Sequence, residues 1–548
     1  MKTKVPAFRL CVCICACAFA FVCLAMASIA TAQQKSEPAF RESVEVRVMD
    51  LDVIVLDGKG HPARDLKKED FRVRIDGKDM PIDYFTRVEE GTIHAPDMAT
   101  ASPDRVLAEY QKGGEAYVPR HFLIYVDTGH ISPGARNRAV EALRDFVTRL
   151  GVSDSARVVV FDRNPKVVTE WTTSKEQLLE GLSSLEKKVG MSRLLNEVQT
   201  LREIDSSSRR STRNSFARSY TYQERLEVQE LLKDLDNQVS TLVPLSGKKK
   251  ILFVSGGFDF QPGYAMTAYA LGSSGFGISD TRNMGPELET VTRRANALDV
   301  TIDSIDVRGL QGEGMSASND DPLANRPGSS FIARQDSQTG LVNLARETGG
   351  VALLNGNDLQ KGLNRVYEES STYYSVGVNL SRMGTAGYRQ VRVDVARPGY
   401  EVRTRRGYAI LPADELARAG ARATVLTNIA YSSLPVQLQV SPPRKGKKLF
   451  EVPVRVVVPA SALTFLPEGD KMKASVEFYV GAIDDKNNTS DIGRDVASFT
   501  LPKDAPGSTP LTHDLTLTTR KGSYRFVVNV RDVATGKIGT AKAAVRVD

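Results

Sequence analysis

The stretch FLIYVDTGHIS, residues 122–132, combines a continuous apolar run with an abrupt polar turn. An uninterrupted apolar run is typical of a strand that is covered on both faces. Apolar residues then recur at helical spacing across residues 136–150. Two more apolar runs, RVVVF at 157–161 and KKILFVSGG at 249–257, lie between further segments with helical spacing. This alternation predicts an α/β domain with a doubly wound, mainly parallel, Rossmann-like sheet and helices on both faces.

Period-two patterns lie on both sides of this region. Residues 33–117 predict a small N-terminal β module followed by a linker, with a strand at 71–75 and a hairpin turn at Asp76-Gly77. Residues 411–548 predict a helical bridge and then seven short strands, which is typical of an immunoglobulin-like β-sandwich.

The α/β domain itself is predicted to span residues 118–410. Its last part, YRQVRVDVARPGYEVRTRRGY at 388–408, predicts a terminal β-hairpin about Pro398-Gly399. Two polar insertions, at 206–219 and 309–335, are expected to be surface loops.

Residues 1–32 have the layout of a secretory signal peptide. Basic residues precede an uncharged apolar run, and small residues end at Ala32, the predicted cleavage site. An uncleaved anchor is the alternative, because about 20 apolar residues can span a bilayer. All five cysteines lie in this segment, so the rest of the chain can form neither disulfides nor thiolate sites. We therefore expect a secreted, periplasmic or cell-surface protein without a membrane span after cleavage.

Composition and motifs argue against several function classes. The 73 basic and 66 acidic residues give a formal charge of +7, which is modest for 548 residues and does not predict nucleic-acid binding. The sequence has no His-Glu-x-x-His, no Gly-x-Ser-x-Gly and no phosphate-binding P-loop. Asp127, His130 and Ser132 lie too close in sequence for the usual arrangement of a catalytic triad. We expect no enzymatic activity, with a hydrolase as the remote alternative.

Three stretches carry a resemblance to a known family: VIVLDGKGHPARDLKKEDFRVRIDGKDMPI, FLIYVDTG, and the segment from LARETGGVALL to RTRRGY. They resemble the von Willebrand factor A (VWFA) domain, and more closely the secreted VWFA-related proteins of acidobacteria. The resemblance covers about residues 43–410 and implies a VWFA fold.

The resemblance also implies a comparison with the family's Mg²⁺ site, which uses Asp-x-Ser-x-Ser, a threonine and a later aspartate. Asp127 fills the first position, whereas Gly129 and Ile131 replace the two serines. Ser192 could match the threonine, and Ser255 stands where the aspartate belongs. Because Mg²⁺ requires about six oxygen ligands, the motif predicts a degenerate site and no metal cofactor.

Two interpretations of Asp127 remain. Its carboxylate could accept hydrogen bonds from loop N–H groups and organise the turn. Alternatively, a remodelled Mg²⁺ or Ca²⁺ site could use Asp127, Ser132 and Asp259. The first interpretation predicts a non-catalytic binding, adhesion or scaffold protein with a protein partner, and the second a divalent-cation-dependent adhesin.

The binding face is predicted at the carboxyl ends of the strands, because ligands of open α/β sheets collect there. The glycine-rich stretch 263–285 is expected to project from the same side. The candidate residues are Asp127, His130, Ser132, Ser192, Ser255, Phe258 and Asp259. Changes at Asp127, His130 or Phe258 are expected to weaken partner capture while leaving the melting temperature nearly unchanged.

Overall fold

The structure is a computed structural model that describes residues 48–94, 117–186, 192–272, 283–309, 330–380, 387–505 and 507–548. These residues belong to one compact unit, Val48–Asp548. The predicted signal peptide and its cleavage site at Ala32 lie outside the described residues.

The described residues contain nine α-helices. They are α1 Pro133–Arg149, α2 Lys175–Leu185, α3 Ser192–Ser206, α4 Arg210–Ser240, α5 Tyr264–Leu271, α6 Gly285–Ala297, α7 Ser330–Thr348, α8 Leu359–Ser371 and α9 Ala413–Leu426.

The strands of the first three sheets are β1 Val48–Leu56, β2 Phe71–Ile75, β3 Lys78–Met80, β4 Tyr84–Glu89, β5 Thr92–His94, β6 Arg120–Asp127, β7 Ser155–Asp162, β8 Asn164–Thr172, β9 Lys248–Ser255, β10 Val300–Asp306, β11 Ala352–Leu353, β12 Tyr373–Asn379, β13 Tyr388–Val395, β14 Glu401–Arg403 and β15 Gly407–Ala409. The remaining strands are β16 Gln437–Val440, β17 Arg444–Lys445, β18 Phe450–Pro459, β19 Leu466–Glu468, β20 Lys471–Asp484, β21 Gly493–Pro502, β22 Pro510–Thr519, β23 Gly522–Asp532 and β24 Ile538–Val547.

The central sheet has the strand order β11-β10-β9-β6-β7-β8. Its pairs are parallel except at the edge, where β8 runs antiparallel to β7. The predicted α/β class with a mainly parallel sheet is therefore confirmed. All eight residues of β6 are buried, because its alternate side chains enter two cores. One core lies against α1, α2 and α8, and the other lies against α4, α6 and α7.

The N-terminal β strands form their sheets together with strands from much later in the chain. One sheet has the order β14-β1-β12-β4-β5, and the other has the order β15-β13-β2-β3. The predicted Asp76-Gly77 hairpin is confirmed between β2 and β3. However, β12 lies between β1 and β4, so the boundary predicted near residue 117 does not separate two independent β units.

The predicted terminal hairpin about Pro398-Gly399 is wrong. Strand β13 pairs with β2 and β15, whereas β14 pairs with β1 in the other sheet. The two sheets share one apolar core, which includes Leu51, Val73, Val376 and Val393. The chain turns at Pro398-Gly399, but the strand that follows, Glu401–Arg403, lies in the facing sheet. Sequence periodicity identifies strands without identifying their partners.

The C-terminal part follows α9 and consists of two facing sheets. One contains β16, β17, β18 and β22, and the other contains β19, β20, β21, β23 and β24. Apolar side chains from both, including Val456 and Phe478, form their common core. None of the helices that the structure describes is long and apolar enough to cross a membrane.

The insertion at 206–219 was expected to be a surface loop, and this expectation is wrong. Helix α3 ends at Ser206 and α4 begins at Arg210. The apolar residues Ala217 and Tyr220 are buried in a separate small core. Most of the second insertion, residues 310–329, lies outside the described residues.

Candidate functional site

Asp127 and Ser255 meet because their strands are parallel neighbours in register. Val126 of β6 lies opposite Val254 of β9, so both strands end at the same level. The Ser255 hydroxyl donates to Asp127 Oδ2 at 2.7 Å and accepts the Gly257 N–H at 3.0 Å. The polar ends of two central strands are therefore joined directly to each other.

His130 is the second partner of Asp127. A short 3₁₀ turn, Thr128–His130, follows β6 and brings His130 Nδ1 to 2.9 Å from Asp127 Oδ1. Both side chains are buried. Burial alone would lower the pKa of His130, but the charge of Asp127 and its hydrogen bond outweigh burial and raise that pKa to about 10. The imidazole is therefore a cation at neutral pH.

A buried chain of charges continues from His130 into helices α3 and α4. His130 Nε2 lies 3.7 Å from Glu224 Oε1, which is an ionic contact without hydrogen-bond geometry. The Nε atom of Arg193 lies 3.1 and 3.2 Å from the two Glu224 oxygens. The Nη1 atom of Arg193 lies 3.1 Å from Glu197 Oε2, and its Nη2 atom lies 2.9 Å from Asp259 Oδ1. We call Asp127, His130, Glu224, Arg193, Glu197 and Asp259 the buried charge cluster.

The carboxyl groups of this cluster do not titrate alike. Burial would raise the pKa of Glu224, but the charges of Arg193 and His130 lower it to about 2. Burial raises the pKa of Asp259 to about 6, despite the opposing charge of Arg193, and the nearby Glu224 charge adds to the rise. The pKa of Asp336 rises to about 7 through burial and the charge of Asp259. The cluster is thus an ion-pair network with an excess of carboxyl groups.

Two glycines allow the loop after β9 to pack tightly here. A Cβ on Gly256 would lie 2.1 Å from the backbone oxygen of His130. Gly257 has a φ of +84°, and a Cβ there would lie 2.6 Å from the Ser337 oxygen. Gly256 and Gly257 are therefore required by these close approaches to other backbone segments.

The structure bears on the interpretation of three predicted residues. Phe258 is fully buried against Phe253, with 6.2 Å between ring centroids, so its assignment to an exposed binding face is wrong. Ser132 caps helix α1 by accepting the Ala135 N–H at 3.2 Å. Ser192 begins α3, and its side chain lies outside the described part of the chain.

The stretch predicted to be a glycine-rich loop at 263–285 also differs from expectation. Residues Tyr264–Leu271 form helix α5, and Gly285 begins α6. Residues 273–282 between them lie outside the described residues.

The interpretation of Asp127 also needs correction. Loop N–H groups were expected to donate to its carboxylate, but its described partners are the His130 ring and the Ser255 hydroxyl. Asp127 and Ser255 lie at the carboxyl edge of the sheet, as expected. Most of the residues assigned to the binding face are nevertheless buried. Asp127, His130, Ser255 and Asp259 are all at least nine-tenths inaccessible to solvent.

These residues do not fit a divalent cation. Both oxygens of Asp127 already accept hydrogen bonds, and Asp259 accepts from Arg193 and from the Gly263 N–H at 3.2 Å. No group of three His, Cys, Asp or Glu residues in the described part of the chain is arranged to hold a metal ion. The charges that neutralise Asp127 and Asp259 come from protein side chains.

Sequence reasoning missed Glu224 and Arg193. A signal for Glu224 was present, because it lies between Tyr220 and Val228 at four-residue spacing, on the buried stripe of α4. A charged residue at such a position needs a buried partner. Arg193 had no comparable signal, because the start of α3 was not recognised as helical.

Residues 123–217 match the family described as von Willebrand factor type A domain. The match begins in β6 and ends in α4, so it includes Asp127, His130 and Arg193. This part of the chain is therefore similar to a von Willebrand factor type A domain. No curated protein matches it.

Several solved structures show weak similarity. Proximal thread matrix protein 1 from the mussel byssus has 10% identity, with 48% of each chain covered and a TM-score of 0.25. A von Willebrand factor type A protein from Catenulispora acidiphila has 11% identity over 92% of this chain and 74% of that one, with a TM-score of 0.23. An aerotolerance-related membrane protein from Bacteroides fragilis has 12% identity over 46% and 98%, with a TM-score of 0.25. This chain spans about half of the mussel protein, and the domain assignment rests on the family match alone.

Proposed function

We propose that this chain is an exported, non-catalytic binding or scaffold protein whose VWFA domain works without a divalent cation. The observation that carries the proposal is the pair of buried cations, His130 and Arg193, at the carboxyl ends of β6 and β9. They contact the carboxylates of Asp127, Glu224 and Asp259. Internal positive charge thus offsets part of the negative charge that an ion would otherwise offset.

The chemistry of the cluster supports a non-catalytic role. His130 and Ser255 both contact Asp127, which lies between them. A nucleophile and its base must contact each other, and the base must be unprotonated at the working pH. Here the pKa of His130 is raised to about 10 by Asp127 against the effect of burial, so the ring is already protonated.

Export is the second part of the proposal. It is supported by the basic, apolar and small-residue order of residues 1–32 and by the absence of cysteine beyond residue 23. We assign the chain to the secreted VWFA-related proteins of acidobacteria, with the C-terminal sheets as an immunoglobulin-like module. Intact mass of the exported protein tests cleavage after Ala32, and a chain that retains Met1 in the membrane would contradict it.

The test of the binding role is affinity capture from the cell envelope in two buffers. One contains millimolar Mg²⁺ and Ca²⁺, and the other contains EDTA. We expect the same partners in similar amounts, because no bound ion has to complete the site. Partners that are lost in EDTA and recovered with Mg²⁺ would instead support the cation-dependent adhesin.

A further inference from the structure

An arginine-rich cleft of about 1580 Å³ shares no lining residue with the buried charge cluster. Its walls come from β13, from the chain around β14, and from helices α6 and α7. Seven arginines and four carboxylates line it, an excess of three positive charges. The buried carboxylate of Glu369 also pairs with two of these arginines. Counting its charge leaves an excess of two positive charges.

The arginines are arranged around shared carboxylates. Glu347 lies 3.3 Å from Arg346 and 3.9 Å from Arg406. Glu369 lies 2.7 Å from Arg365 and also contacts Arg403. Asp394 lies 2.9 Å from Arg392 and also contacts Arg74. Six guanidinium groups therefore share three carboxylates.

This sharing leaves part of the donor capacity of the arginines unused. Each guanidinium carries five N–H donors, and a carboxylate accepts from at most a few of them. Arg346, Arg392 and Arg406 each keep at least half of their side-chain surface exposed. The arginines are thus held in position while retaining the ability to bind further carboxylates.

Apolar side chains lie between these charges. Phe260, Val342, Tyr400 and Val402 line the same cleft and are only partly buried. A ligand that satisfied both kinds of wall would carry carboxylates and apolar groups close together. An acidic polypeptide segment with apolar side chains has this chemistry, whereas an acidic polysaccharide has the carboxylates alone.

We infer that this cleft is a docking surface for an acidic, partly apolar peptide segment of a partner protein. Arginine–carboxylate pairs orient the segment, and the apolar wall covers its apolar side chains. The inference does not rest on the cation-independent function proposed above, because the two sites share no residue. Cation-dependent capture at the first site would leave the cleft unaffected.

The direct test is fluorescence anisotropy with the full chain and a labelled decapeptide of alternating glutamate and leucine. We expect saturable binding that weakens as salt increases, because exposed charges are screened. A glutamate–glycine decapeptide should bind more weakly, since it lacks the apolar groups. A lysine–leucine decapeptide should not bind.

Charge reversal in the cleft provides the decisive comparison. Arg392→Glu and Arg406→Glu should each weaken binding about tenfold, in the range measured for close interfacial charges. The matched control is Arg455→Glu, which changes the net charge equally on another strand. Arg455 is 53% exposed and pairs with Asp514, as Arg392 is 71% exposed and pairs with Asp394. The control should bind like the unmodified chain, and melting curves should show that all three variants fold.

Three results would overturn the inference. They are absence of saturable binding by the glutamate–leucine peptide, equal weakening by Arg455→Glu, and oligogalacturonate binding through the same arginines at least as tightly as the peptide. The second result would indicate nonspecific attraction by net charge. The third would identify the cleft as a surface for acidic saccharides.

Discussion

The Nδ1 atom of His130 lies 2.9 Å from Oδ1 of Asp127, and both residues are more than nine-tenths buried. The pair stands at the end of β6, where the family's metal motif begins. A protonated ring thus provides the positive charge closest to this carboxylate. His130 is therefore part of the folded core. Substitution of His130 should lower stability, whereas the sequence predicted a nearly unchanged melting temperature.

His130→Gln should destabilise the protein by about 3–5 kcal/mol, which is the range for removing one member of a buried ion pair. Glutamine can still donate to Asp127, but it carries no charge to balance Asp127 and Glu224. The measurement is the free energy of unfolding in denaturant. His61→Gln is the control, because His61 is 72% exposed and 3.8 Å from Asp57, and exposed ion pairs contribute little.

The pH dependence separates this charge effect from lost packing. The folded pKa of His130, about 10, lies above the ordinary value of 6.5, because Asp127 outweighs the effect of burial. Its contribution to stability is therefore complete below pH 6.5 and is lost as pH rises through 10. The difference between the unmodified chain and His130→Gln should shrink over that interval. A constant difference would show that His130 contributes through packing alone.

Phe258→Ala should destabilise the protein by about 3–5 kcal/mol, the usual cost of removing a buried phenylalanine. Phe258 is completely buried, and its ring occupies the space beside Gly340, where a Cβ would lie 2.4 Å from it. The control is Phe331→Ala, because Phe331 is 71% exposed. Thermal melts compare the two, and an unchanged melting temperature for Phe258→Ala would restore this residue as a surface contact.

The sequence predicted the central sheet well because its signals are local. Continuous apolar runs identified β6, β7 and β9. Strand partners are not local. The run at 373–379 looks like another strand of a covered sheet, yet it lies between β1 and β4. Nothing in its composition distinguishes the two environments.

The candidate site was predicted only in part, for a related reason. Asp127 and Ser255 follow apolar strands, so their meeting at one sheet edge could be anticipated. Their burial could not, since it depends on Arg193 and Glu224 from helices that are distant in sequence. A polar residue after a strand suggests an exposed site when the charges that cover it are unknown. His130 was therefore assigned to a surface, although it lies within an ion-pair network.

Removal of divalent cations should leave the melting temperature unchanged. The acidic groups at the sheet edge already have cationic or hydroxyl partners, so little affinity for Mg²⁺ remains. A ligand at about 100 times its Kd adds about 2.7 kcal/mol to stability, which a melt would detect. Scans in millimolar Mg²⁺, in millimolar Ca²⁺ and in EDTA should coincide. A rise of several degrees in the melting temperature with either ion would support a remodelled cation site at Asp127, Ser132 and Asp259.

Asp336→Asn should stabilise the protein above neutral pH. Burial and the charge of Asp259 raise the pKa of Asp336 to about 7 from its ordinary value of 3.8. A raised carboxyl pKa means that its contribution to stability is complete below pH 3.8 and is lost as pH rises through 7. Asparagine avoids this loss, and its Oδ1 can still accept the Gln261 N–H that now lies 3.0 Å from the carboxylate.

The free energy of unfolding of Asp336→Asn, relative to that of the unmodified chain, should therefore increase between about pH 4 and pH 7. The difference should stay constant above that interval. Its size at pH 8 should be on the order of a few kcal/mol, since one unit of pKa corresponds to about 1.4 kcal/mol. Denaturant unfolding across this pH series measures it. Asp485→Asn removes the same charge from an exposed position and should leave the pH profile unaltered. If Asp336→Asn is less stable than the unmodified chain at pH 8, the carboxylate is needed in its ionised form, and the excess of buried acid inferred for this region is wrong.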